Sequence, residues 1–229
     1  IDFLPLTTNA CIVEGNALRM DWATLRPLEE NAMPNDGLFR GFTTQTDGTA
    51  HKYDYIMGNP PFVGARWMEA GSPQKLDMEY VFKGMNGCGN LDYVSAWYKR
   101  ASELIKGTDI KAAFVSTNSI TQGEQAAILW KLLFADGFHI DFAWRTFKWD
   151  SESTEKAHVH CVIVGFSDGA ETRQKRIYDA DGSSKIVANI NGYLLDAPNV
   201  FVESVKKPLC DVPEVGIGNK PIDGGNYIF

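Results

Sequence analysis

Apolar residues recur along this chain in two rhythms. Residues 53–57 form a short apolar run that stops at Gly58-Asn59-Pro60-Pro61. Two consecutive prolines continue neither a sheet ladder nor a helix interior, so the run predicts a strand with an abrupt end. Over residues 92–105 the apolar positions Tyr93, Trp97, Ala101 and Leu104, flanked by Val94, Tyr98 and Ile105, keep helical spacing. Asn90 or Asp92 stands where a cap belongs, and Gly107 where the helix should end. Residues 110–115 read as a buried strand that runs out into Ser116-Thr117-Asn118. Thr121-Gln122-Gly123-Glu124 fits a capping box opening a helix to about Ala135, with Gly137 as its stop. Phe138, Ile140, Phe142 and Trp144 then alternate as in a strand, and Val159, Cys161 and Ile163 alternate with His158, His160 and Val162 in another.

From 53 to 166 the order is therefore strand, helix, strand, helix, strand, strand. Strands alternating with helices predict an α/β layered fold with a mainly parallel sheet. Only a loop joins the last two strands, so one of them should run antiparallel. Upstream, residues 11–14 read as a short strand closing at Gly15-Asn16, and 27–51 as loop. Residues 64–90 have a broken pattern. Past about 178 the rhythm weakens, and Pro198, Pro208, Pro213 and Pro221 with Gly216, Gly218, Gly224 and Gly225 suggest a connector. The expected division is 1–178 as one domain and 179–229 as a connector toward a further domain.

A length of 229 residues allows one large domain, or one domain plus the start of another. With 44% hydrophobic and 22% charged residues, a real core is affordable in a soluble protein. No apolar stretch approaches the roughly 18–20 residues that span a bilayer, and no secretory leader is visible. The first residue is Ile1, which suggests a piece excised from a longer protein. Cys11, Cys88, Cys161 and Cys210 are scattered without a paired spacing, which argues against a zinc module or a disulfide framework. Reduced thiols in the cytoplasm are the simple reading. A net charge of −7 and a pI near 5.1 count against a free-standing nucleic-acid binder. Local basic spots do exist: Arg66, Arg145 with Lys148, Arg173 with Lys175 and Arg176, and Lys206-Lys207. Solvated surface is the plain alternative for each.

The chemistry-bearing motif is Asn59-Pro60-Pro61-Phe62. Ligands of open α/β sheets sit beyond the carboxyl ends of the strands, and this tetrapeptide lies at such an end. Asn59 offers a side-chain oxygen, Pro60 lacks an N–H so that its backbone offers only an acceptor, and Phe62 supplies a flat apolar face. Two acceptors and an aromatic face suit an exocyclic amine on a planar ring. Such an amine is a poor nucleophile because its lone pair is delocalised. Accepting two hydrogen bonds from it favours a pyramidal nitrogen whose lone pair points at an electrophile, and that stabilisation is specific to the transition state. The plain alternative is a proline-stiffened turn in which the asparagine merely caps.

The segment order resembles the adenine-N6 DNA methyltransferases of restriction-modification systems, in the γ-type arrangement where the target-recognition domain follows the catalytic domain. The likeness covers roughly residues 10–170 and implies a partial Rossmann-like class I methyltransferase sheet. Residues 53–62 match the catalytic strand and loop, 92–105 the helix after it, and 112–118 the next strand with its polar end. Residues 12–18 are similar to the segment that touches the adenine of S-adenosylmethionine, which implies cofactor contacts from Asn16, Ala17 and Asn59. Phe147-Lys148-Trp149, followed by 157–166, resembles the motif whose aromatic stacks on a flipped target base. The resemblance implies that the adenine leaves the duplex, as its chemistry requires. It would lie between Phe62 and Phe147, with Trp149 as the substitute. The implied partner of the full-length protein is double-stranded DNA, and no metal is called for.

The resemblance also implies an omission. The glycine-rich cofactor loop and the acidic residue for the ribose should precede residue 11, and neither Gly87-Cys88-Gly89 nor Gly216-Ile217-Gly218 replaces them. The isolated chain is thus expected to bind the cofactor poorly, to be inactive, and to expose a sheet edge that invites pairing between copies. His158 and His160 share a strand face with Cys161 opposite, so the three do not converge on a metal. Ser116 and Ser119 lack a nucleophile elbow, and no phosphate-binding Gly-Lys loop occurs. Two rivals stay open: a non-catalytic binding module on the same fold, and methylation of cytosine N4 or of a protein amide.

Overall fold

The short strand before the double proline forms as Tyr55–Gly58 (β1) and pairs in parallel with Lys111–Thr117 (β2). The structure, a computed structural model, describes residues 13–24, 53–149, 159–169, 174–203, 205, 210 and 211. Between β1 and β2 lie two helices, Pro73–Val81 (α1) and Ser95–Ile105 (α2). Gly123–Ala135 (α3) follows β2 and leads into His139–Trp149 (β3), Val159–Ser167 (β4), Lys175–Tyr178 (β5) and Ser184–Val187 (β6). The sheet order is β1-β2-β4-β3-β5-β6. β4 is antiparallel to both β2 and β3, β5 is parallel to β3, and β6 is antiparallel to β5. β1, β2, β3 and β5 thus share one direction, so the expected mainly parallel α/β sheet with a reversed late strand is present.

One face of the sheet carries the core. In β2 the buried residues Ala112, Phe114 and Ser116 alternate with half-buried ones. They lie in register with Phe166, Val164 and Val162 of β4. Helices α2 and α3 cover this face through Tyr98 and Trp130. The Tyr98 ring sits 5.2 Å from Phe114, 5.5 Å from Trp130 and 5.4 Å from Phe166, mixing edge-on and stacked contacts. Such pairs each add about 0.5–1.5 kcal/mol beyond burial. Their polar ends are satisfied: Tyr98 Oη lies 2.8 Å from Ser116 Oγ, and Trp130 Nε1 donates to the Ile120 carbonyl at 3.0 Å.

Two bulges in β3 change which side chains share a face. The register slips between Ile140 and Phe142 and again between Trp144 and Phe147. An uninterrupted alternation would put Phe142 and Trp144 beside Ile140. The first bulge sends them to the opposite face, where the Phe142 ring lies across Gly165; a Cβ there would come within 2.1 Å of Phe142 Cε1. The second bulge keeps Phe147 on the Trp144 face although they are three residues apart, the re-aiming that bulges provide.

Local starts and stops differ from expectation where side chains are recruited elsewhere. α2 begins at Ser95 without a side-chain cap, because the Asp92 carboxylate faces the loops instead. The capping box at 121–124 does not form. Thr121 Oγ1 donates to the Asn118 carbonyl, and Glu124 accepts from Asn90 Nδ2 at 3.3 Å. Residues 118–121 are instead a single 3-10 turn. Gly107 and Gly137 do stop their helices, at φ 72° and 97°, where a side chain would be strained. α1, hidden in the broken 64–90 pattern, starts on a Ser72-Pro73 pair with Ser72 Oγ accepting from Lys75 N. Within the stretch read as connector, β6 joins the sheet, and Val187, Ile190 and Leu194 are in the core. The expected strand at 11–14 falls partly outside the described residues, and Val13 and Glu14 are not in a strand. The loop at 27–51, Arg173, Lys206-Lys207 and His158 lie outside them altogether.

Replacing Tyr98 by Phe is expected to cost about 1–2 kcal/mol in urea unfolding, because buried Ser116 Oγ loses its partner. Adding Ser116→Ala should recover most of that loss. A double variant no more stable than the single one would show that the hydroxyl pair is not what matters there.

Candidate active site

Every strand running in the β1 direction ends at the same edge of the sheet. The loop after β1, the turn after β2 and the end of β3 therefore share that edge. Asn59 is exposed and Pro60 buried, while Phe62 is half-buried against the core cluster. No described donor reaches the Asn59 carboxamide or the Pro60 carbonyl. The chain just beyond is tightly held. Val63 O accepts from Tyr93 N at 2.9 Å, Ala65 N donates to Asp92 Oδ1 at 2.9 Å, and Trp67 N donates to Gly64 O at 2.9 Å.

Asp92, with 6% of its surface exposed, collects further donors. Gln125 Nε2 of α3 reaches its Oδ1 at 3.1 Å. Thr117 Oγ1 at the end of β2 reaches its Oδ2 at 3.1 Å, and Ser119 Oγ donates to the same oxygen. One carboxylate thus joins the loop after β1, the end of β2 and the start of α3. The backbone N of Asp92 also donates to Gln125 Oε1 at 3.0 Å, closing a two-way bond with that side chain.

The adjacent Tyr93 links this loop to the segment at 13–24. Its hydroxyl donates to Asp77 Oδ2 at 2.8 Å, which also accepts from Asn16 Nδ2 at 2.9 Å. Asp77 Oδ1 takes Arg19 Nε at 2.6 Å, and the Arg19 guanidinium lies over the Tyr80 ring. Asn16 Oδ1 accepts from Leu18 N at 2.9 Å, an Asx-type turn. The Asn16 side chain therefore shapes and docks its own segment, while the exposed stretch 13–17 presents backbone to solvent. Burial pushes the Asp77 carboxyl up, but hydrogen bonds from Asn16, Arg19 and Tyr93, with the Arg19 charge, more than reverse this and hold it below the ordinary 3.8. Burial and the bond to Asp77 push the Tyr93 phenol up, so it stays a donor.

Phe147 and Trp149 stand at the carboxyl end of β3, with rings 6.2 Å apart and tilted by 45°. Phe147 is half-buried and Trp149 is 42% exposed. β3 is three strand spacings from β1, roughly 14 Å at about 4.8 Å each. Phe62 and Phe147 thus face one edge without touching. Of the basic spots, Arg66 is exposed, Arg145 pairs with Asp179 at 3.2 Å, and Lys175 is buried with its Nζ on Asn189. His160 is exposed and Cys161 buried on opposite faces of β4. Among the described residues no three His, Cys, Asp or Glu side chains group around a metal position. No described helix is long and apolar enough to cross a membrane.

Residues 1–179 match the family described as MmeI, DNA-methyltransferase domain. The chain belongs to that family. It is 36% identical over 226 residues to DNA methyltransferase A of Bacillus subtilis strain 168, covering 99% of this chain and 23% of that protein. A solved structure of the Type IIL restriction-modification enzyme MmeI in complex with DNA superposes with a TM-score of 0.80 at 38% identity. That match covers 99% of this chain and 28% of MmeI. The chain therefore spans about a quarter of the length of these relatives. Membership in the MmeI DNA-methyltransferase domain family agrees with the expected class, a DNA methyltransferase of restriction-modification type. What the sequence did not reveal is the support: Asp77, Gln125 and the Tyr93 hydroxyl. Asp92 was legible only as a helix cap. Its position inside the apolar run Leu91-Asp92-Tyr93-Val94 was the available signal that this carboxylate would be buried.

Asp77 has a depressed folded-state pKa, so its stabilisation is present above the unfolded value of about 3.8 and is lost as pH falls through the lower folded value. Asp77→Asn should cost on the order of 1–2 kcal/mol near neutral pH, Arg19 being half exposed and screened. In urea unfolding, the gap between wild type and variant should close as pH drops below about 4. A gap constant from pH 6 to pH 2 would contradict this assignment.

Proposed function

We propose that this chain is the later part of the catalytic domain of a DNA methyltransferase of restriction-modification type that methylates adenine N6. The observation carrying this reading is Asn59. It is an exposed carboxamide that no described residue bonds, set at a strand's carboxyl end and followed by a buried proline whose carbonyl likewise meets no described donor. Membership in the MmeI DNA-methyltransferase domain family supports the class of reaction. The related MmeI was solved bound to DNA, which supports double-stranded DNA as the partner of the whole protein.

In this reading Asn59 Oδ1 and the Pro60 carbonyl accept the two hydrogens of the target amine. They hold its nitrogen pyramidal, with the lone pair turned away from the ring. Phe62 and Phe147, with Trp149 as the substitute, flank the base and replace the stacking lost on flipping. Pro61 stiffens the bend, so little ordering remains to be done when the base arrives. The residues present fit a methyl donor such as S-adenosylmethionine. Residues 13–17 offer exposed backbone on a docked turn, and Asn59 carries an exposed carboxamide that no described residue bonds. Asn16, Ala17 and Asn59 would hold that donor, which supplies an electrophilic methyl group. No metal is needed for the residues to act in this way.

The sheet supports a class I Rossmann-like arrangement completed by further strands. β1 is an edge strand among the described residues, with Tyr55 and Met57 62% and 79% exposed. Exposed apolar residues on this edge favour self-association of the chain along it. A target-recognition domain would follow the part of the chain that packs on the sheet.

In a full-length enzyme carrying this sequence, Asn59→Ala should reduce methylation by at least about 100-fold while the fold survives. Duplexes offering only adenine or only cytosine targets, with a protein control, should show methyl incorporation on adenine alone. Undiminished activity of Asn59→Ala removes the assigned role. Incorporation on cytosine or protein reassigns the substrate, and a wild-type enzyme inactive on every substrate points to a binding module.

A further inference from the structure

The geometry points to Asp92 as a positioning residue for methyl transfer: its buried carboxylate fixes the backbone that carries Asn59–Phe62. This inference rests on the reading of Asn59 given above. Asp92 touches neither the base nor the donor in that reading; it acts through the loop.

Three features carry it. First, the bond from Ala65 N to Asp92 Oδ1 and the bond from Tyr93 N to Val63 O grip the loop directly behind Phe62. A peptide held at two consecutive alternate residues has little freedom to shift. Second, the other bonds of the same carboxylate run to Thr117 at the end of β2, Ser119 in the 3-10 turn after it and Gln125 in α3. The loop is thereby referenced to the end of β2 and the start of α3. Third, the loop backbone passes against the carboxylate itself. A Cβ on Gly64 would meet Trp67 Cδ1 at 3.3 Å and Asp92 Oδ1 at 3.7 Å, so the backbone lies close over the carboxylate. Ionised Asp92 has four acceptor sites and meets four donors from its neighbours. An asparagine in its place has acceptors on one side only, so its amino group would confront two of those donors.

A merely structural residue lowers stability and all kinetic parameters together. A residue that places the acceptors lowers turnover while leaving binding intact, because a misplacement near 1 Å costs on the order of 100-fold in rate. The test is steady-state methylation by a full-length enzyme carrying Asp92→Asn, with DNA and methyl donor varied separately and folding checked by thermal melting. The expected result is kcat reduced by on the order of 100-fold, with both KM values within about threefold of wild type. Wild-type kcat, or KM values that rise in step with the loss of kcat, would overturn the proposal. If Asp92→Asn does not fold, Thr117→Val with Ser119→Ala removes two donors and leaves the carboxylate on Ala65. That variant should lose kcat several-fold with KM unchanged, and an unchanged kcat there overturns the proposal equally. Asn59→Ala assayed in parallel separates the two failures. If it is inactive while Asp92→Asn is active, only the positioning role is lost; if it is active, the reading of the loop itself has failed.

Discussion

A carboxylate removed from water must gather donors or lose its charge, and the Asp92 group gathers them from three separate elements. That requirement organises this end of the molecule. The loop after β1 has no regular structure to hold it, and its two prolines supply no N–H to any ladder. Its position is set from outside, by one buried anion and by a backbone bond to Tyr93. Because the anion is also bonded to the end of β2, the loop inherits the precision of the sheet. The same step of chain reaches the other way through the Tyr93 hydroxyl to Asp77, and so to Asn16 and Arg19. Two buried carboxylates thus tie both segments proposed to act on substrates to a common short stretch before α2.

The sheet supplies the frame for that arrangement. Parallel pairing of β1 with β2 brings their ends to one edge, and β3 brings Phe147 and Trp149 to it as well. The core on the helix-covered face is aromatic, with the polar ends of Tyr98 and Trp130 bonded, which resists the small shifts that would misplace the loop. The opposite face is different. Met57, Tyr55 and Ile186 are exposed and Trp144 is half-buried, so this face and the β1 edge carry apolar surface in the described residues.

Much of this was legible in the sequence where a single physical rule dominated. The double proline marked the end of β1, and Gly107 and Gly137 marked the ends of α2 and α3, because each position tolerates few conformations. Helical spacing from Tyr93 to Ile105 located α2, although not its cap. The misses share a cause. Thr121, Glu124 and Asp92 were read for local capping, yet Thr121 bonds back to the Asn118 carbonyl within its own turn, and Glu124 and Asp92 meet partners on other elements. The alternation from Phe138 to Trp144 was taken as one face, but a bulge at Asp141 reverses it, and no pattern of apolar residues announces a bulge. α1 escaped notice because its burial is narrow, with Asp77, Met78 and Val81 buried and most of its other residues polar. The chemistry of Asn59 and Pro60 was legible because it resides in residue type. The support beneath it was not, because it depends on which distant donors converge.

The most direct test is a structure of a full-length enzyme carrying this sequence, bound to duplex DNA and an unreactive analogue of the methyl donor. The account predicts an extrahelical adenine whose N6 lies about 2.7–3.2 Å from both Asn59 Oδ1 and the Pro60 carbonyl, with the loop bonds to Asp92 unchanged. An adenine still stacked in the duplex, or an N6 bonded to other groups while Asn59 turns away, would contradict it.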